Sequence, residues 1–65
     1  MRFQVITYKP QVHIQVCHLI GYVKAKIIKA QIVNEDYYGE FILDSKGDLF
    51  NNLSLMEGID VKVLE

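Results

Sequence analysis

His13, Cys17 and His18 are the residues whose types could hold a metal ion or form a thiol–imidazole pair. Either chemistry needs the side chains together. Zinc holds its ligands at about 2.0–2.3 Å, and a nucleophile needs its base within hydrogen-bond reach. The surrounding pattern argues against both. Val12, Ile14 and Val16 alternate with Gln11, His13, Gln15 and Cys17, which predicts a strand. On a strand His13 and Cys17 share a face but stand roughly 13 Å apart, and His18 points the other way. A helix would make His13 and Cys17 neighbours, but the β-branched alternation disfavours one. The expectation is side chains on a strand surface, with no metal and no cofactor.

The acidic residues give no better constellation. Glu40 and Asp44 fall on one row of another extended run, again roughly 13 Å apart, which is too far for a catalytic pair. Gly21, Gly39, Gly47 and Gly58 are isolated, so there is no glycine-rich phosphate loop. A non-enzymatic domain is expected. Binding residues are the better candidates. Tyr8, Tyr22 and Tyr38 fall on outward rows, where a phenol ring can anchor a protein interface or stack on a base. Lys24, Lys26 and Lys29 lie near two of them, and Ile42 is an apolar residue on an outward row.

The elements that must position these residues are short and extended. Arg2 to Tyr8 alternates and reads as a strand that Lys9-Pro10 ends, because proline cannot donate to a ladder. Gln11 to Cys17 reads as its hairpin partner. Tyr22 to Asp44 predicts a long central hairpin. In it Val23, Ala25 and Ile27 form one apolar row, and Ile28, Ala30 and Ile32 continue it after a change of phase. Two adjacent isoleucines at that change predict a β-bulge. A two-residue turn at Asn34-Glu35 would set Val33 opposite Asp36, Gln31 opposite Tyr38, Lys29 opposite Glu40 and, past the bulge, Lys24 opposite Asp44. Opposite charges facing each other across strands contribute roughly 0.2–1 kcal/mol a pair. Ser45 to Gly47 is a turn. Asp48 to Met56 has Leu49, Leu53 and Met56 at helical spacing, with Asp48 as a candidate N-cap. A short strand Asp48–Phe50 with one helical turn is preferred, because Asn51-Asn52 is a poor helix interior. Ile59, Val61 and Val63 mark a closing strand.

A chain of 65 residues is one domain, and one that buries only about 60% of its unfolded surface. One cysteine permits no internal disulfide, and an apolar share of 51% leaves residues over for a second buried face. A homo-oligomer or a protein partner is therefore expected. The lone cysteine and the want of a leader point to the cytoplasm, and no run approaches the roughly 20 apolar residues of a membrane span. The net charge is −1 but unevenly placed: residues 1–33 hold five basic residues and no acid, and residues 34–65 hold eight acids and two lysines. Paired halves of one sheet would neutralise each other, and that is the expectation.

Together these elements predict an all-β, five- to six-stranded antiparallel barrel, SH3-like or OB-like, with at most one short helical turn. Part of the chain adds a resemblance. The runs Tyr38 to Ile42, Gly47 to Phe50 and Leu55 to Val63 resemble the second part of a cold-shock or S1-type OB domain. By that resemblance Tyr38 and Phe50 would be base-stacking positions. Glu40 stands where that family has a second exposed aromatic, and Asn51 and Asn52 replace the end of its second motif. The leading expectation is a protein-binding module of adaptor or inhibitor type. The alternative is single-stranded RNA or DNA binding through Lys24, Lys26, Lys29 and the exposed tyrosines.

Overall fold

The computed structural model describes residues 1–32 and 38–64. In chain order the elements are β1 (Arg2–Thr7), α1 (Pro10–Val23), β2 (Lys26–Ile32), β3 (Gly39–Asp44), α2 (Gly47–Ser54) and β4 (Ile59–Val63). The strands form one antiparallel sheet in the order β2-β3-β1-β4. This is the split β-α-β, or ferredoxin-like, connectivity.

The expected all-β barrel is not formed. β2 and β4 are the two edges of an open sheet, and two helices cover one of its faces. The largest departure is the run from Gln11, expected as a strand and found inside a helix of 14 residues. Pro10 explains its start. The ring that stops β1 also presets the backbone angle of a first helical residue, where the missing N–H is not needed. Val16 and Ile20 are buried, and Val12 and Leu19 pack against the core. That is a stripe at helical spacing running through a sequence that also alternates. Ile14, on the row expected to face inward, is 55% exposed. α1 closes at Lys24, whose left-handed backbone (φ 56°) returns its N–H to the Gly21 carbonyl, a conformation that glycine adopts more cheaply.

α2 corrects the second preference. Leu49 and Leu53 are buried and Phe50 and Met56 pack beside them, while Asn51 and Asn52 face solvent. Packing of the leucine face overrides the weak propensity of the asparagines.

The core lies between the helices and the inner rows of the sheet. Phe3 and Val5 of β1 stand opposite Leu43 and Phe41 of β3, and opposite Val63 and Val61 of β4. Phe3, Val5, Leu43 and Leu53 have essentially no exposure. Phe50 sets its ring edge-on against Phe3, with centroids 5.6 Å apart.

The β2–β3 pairing has its bulge between Ile27 and Lys29, at the predicted change of phase. The register is offset by two from the expected one. Gln31, not Lys29, faces Glu40; Lys29 faces Ile42; Lys26 faces Asp44. Lys24 lies outside the strand. An even offset keeps every side chain on its face, so the apolar row survives and the charge ladder does not. The Asn34-Glu35 turn and the Val33–Asp36 pair lie outside the described residues.

Candidate functional site

Three regions gather functional residue types. The first is the end of β1 against α1. Thr7 Oγ1 shares a hydrogen bond of 2.8 Å with His13 Nδ1, and the His13 ring stacks on Phe41 with centroids 4.6 Å apart. Tyr38 meets the same ring edge-on at 5.2 Å. Gly39 lies beneath it, where a β-carbon would overlap the imidazole. Threonine and histidine could be a nucleophile and its base, but Thr7 has no solvent access. The pair instead ties α1 to the sheet. Burial lowers the His13 pKa from an ordinary value of about 6.5. The sign follows directly. Above the unfolded value neither state is protonated there; below it the unfolded chain takes up the proton more readily, and stability falls until the folded value is passed. Proton NMR is expected to place the His13 midpoint below 6.5, with denaturant melts less stable at pH 5 than at pH 7.5. A midpoint at or above the ordinary value would contradict the half-buried stacking on Phe41.

α1 makes His13 and Cys17 neighbours after all, one turn apart. Cys17 is exposed, and partial desolvation raises its thiol pKa, away from the thiolate that reactivity needs. Among the described residues no group of three histidine, cysteine or acidic side chains could hold a metal ion.

The second region is the face of the sheet without helices. Gln4 and Ile6 of β1 lie beside Glu40 and Ile42 of β3. Gln4 donates a 2.8 Å hydrogen bond to Glu40, which is only 8% exposed. Just beyond β1, the Tyr8 hydroxyl donates to Asp60, and that bond raises the Tyr8 pKa. The centre of this face sets the bonded Gln4–Glu40 pair beside half-buried Ile6 and Ile42, and among its described residues it carries no aromatic ring between β1 and β3.

The third region is β2. Every residue of Lys26–Ile32 is exposed, including Ile27, Ile28 and Ile32 at 49%, 45% and 61%. Among the described residues β2 pairs with β3 alone, so its other edge leaves backbone donors and acceptors open. α1 packs on β1 and α2, and α2 on β4, while every residue of β2 stays exposed. At its start a cavity of about 600 Å³ is lined by Lys24, Lys26 and Lys46 and also by Asp44 and Asp48, so its charge is mixed.

The expected binding residues therefore divide. Lys26 and Lys29 share the outer row of β2, and Lys24 joins Lys26 at the cavity. Tyr22 is on the last turn of α1 and 86% exposed. Tyr8 and Ile42 are on the helix-free face, tied or half-buried. Tyr38 and Phe50, the base-stacking positions by resemblance, pack against His13 and Phe3. The expected pairing of lysines with acids fails: among the described residues, the ion pair at Asp44 is with the Met1 amine at 3.5 Å, and Lys24, Lys26 and Lys29 make none. Sequence reasoning missed Ile27, Ala30 and Ile32 as surface residues. Their alternation predicts an inward row, and the sheet order, which puts β2 at an edge, leaves that row exposed. The bulge and the lysines were the available signal, since both are common devices on edge strands.

Comparison with protein-family models, with curated proteins and with solved structures finds no match to the chain. No described helix is long and apolar enough to cross a membrane.

Proposed function

We propose that this is a non-enzymatic protein-binding domain whose ligand adds to the open edge of β2 as a further strand. The observation that carries the reading is an edge strand exposed at every position, with three isoleucines near or above half exposure. Strand addition uses such an edge: main-chain hydrogen bonds give affinity, and alternate side chains give selectivity. Half-covering two isoleucines is worth about 0.8–1.5 kcal/mol each. Peptides selected on this domain from a random library should alternate apolar residues. The double variant Ile27→Asp, Ile32→Asp should lose at least about tenfold in their affinity while keeping its helical and strand signal. Enriched peptides with helical spacing, or undiminished binding by the variant, would contradict the reading.

The lysines, without an ion pair among the described residues, favour a second reading, single-stranded nucleic acid. It requires oligonucleotide binding that weakens steeply with salt. Against it, β2 has no ring on which a base could stack.

A further inference from the structure

Strand addition at β2 leaves the chemistry of the ligand open, and the two rows of the strand supply it. Lys26 and Lys29 stand on the row facing away from the helices; Ile27, Ala30 and Ile32 stand on the other, beside Leu43, Phe41 and Gly39. Lys26 and Lys29 make no ion pair among the described residues, and the acid opposite Lys26, Asp44, is 3.5 Å from the Met1 amine. Beside them lie aliphatic side chains. A second copy would bring its own lysines to the same rim, and like charges brought close across strands are unfavourable. Lysine on an edge strand is a common guard against self-pairing for this reason.

We propose that the ligand is an extended acidic–hydrophobic peptide segment, taken up as a fifth strand. Its carboxylates lie along Lys26 and Lys29, and its alternate aliphatic side chains continue the row of Ile27, Ala30 and Ile32. The lysines that repel another copy of the chain thus select the acidic strand. This rests on the strand-addition reading and adds the sign of the ligand to it.

The test uses a labelled, end-blocked peptide of about seven residues alternating glutamate with valine, followed by fluorescence anisotropy. Companion probes replace glutamate with threonine or lysine, and a fourth is a single-stranded oligothymidine. The acidic peptide should bind wild-type protein most tightly. The double variant Lys26→Glu, Lys29→Glu should weaken it by at least about tenfold and should prefer the lysine peptide instead. Both positions are exposed, so the variant keeps the fold, which circular dichroism checks. Equal binding of acidic and threonine peptides, unaltered by the lysine changes, would overturn the acidic ligand and leave strand addition standing. Failure of all three peptides would overturn both. Tighter binding of the oligothymidine, or a dimer by light scattering that excludes the acidic peptide, would assign the edge to nucleic acid or to a second copy and so also overturn the proposal.

Discussion

Phe3→Ala is expected to leave the chain mostly unfolded at room temperature. Phe3 has no exposure, sits on the central strand between Leu43 and Val63, and meets the Phe50 ring edge-on. Truncating a buried phenylalanine costs about 3–5 kcal/mol. A single core of this size rarely supplies more than about 3–5 kcal/mol in all. The loss therefore matches the whole stability, and no disulfide is present to compensate, since Cys17 is free. Urea melts followed by circular dichroism should show a lost or sharply lowered transition. Ile14→Ala is the control. Ile14 lies outside the core on α1, 55% exposed, and its truncation should change stability by no more than about 0.5 kcal/mol. Equal costs at the two positions would contradict the helix and favour the barrel.

Gly39→Ala is the second large effect, and its cause is steric. The imidazole of His13 lies over Gly39 where a β-carbon would stand, with its hydrogen-bond partner Thr7 Oγ1 3.2 Å from the same point. An added methyl group must push the ring off Phe41 and break its bond to Thr7. Overpacking of this kind costs about 1–3 kcal/mol. The cause can be isolated with a double-mutant cycle. In a His13→Ala background the same change should cost less than about 1 kcal/mol, because the obstructing ring is gone. An unchanged cost in that background would mean that backbone geometry at Gly39, not the ring above it, sets the requirement.

These two positions also show what could be read from the chain. The row of Phe3 and Val5, the closing strand at Ile59 and the bulge beside Ile27 follow from alternation, and all three are found. α1 was hidden because its sequence satisfies two periods at once. Val12, Ile14 and Val16 alternate, while Val12, Val16, Leu19 and Ile20 recur at helical spacing; burial of the second set decides the outcome. A strand at this place puts His13 on the surface, so its contacts with Thr7, Phe41 and Gly39 follow only from the helix. The lysine–acid ladder failed for a different reason. A hairpin's faces survive an even slip in register but its partners do not, so Lys29 kept its side of the sheet and met Ile42 instead of Glu40. That slip removed the expected neutralisation and leaves Lys26 and Lys29 exposed on β2 without an ion pair among the described residues.

Hydrogen exchange of individual backbone amides along Lys26–Ile32, with and without a saturating glutamate–valine peptide, tests the central claim most directly. The free protein should show rapid exchange at alternate amides of the strand, those pointing away from β3. The bound protein should slow those amides selectively while exchange on β4 stays the same. Protection that arises on the helix-free face around Gln4 and Glu40, or on α1, with β2 unchanged, would contradict the account.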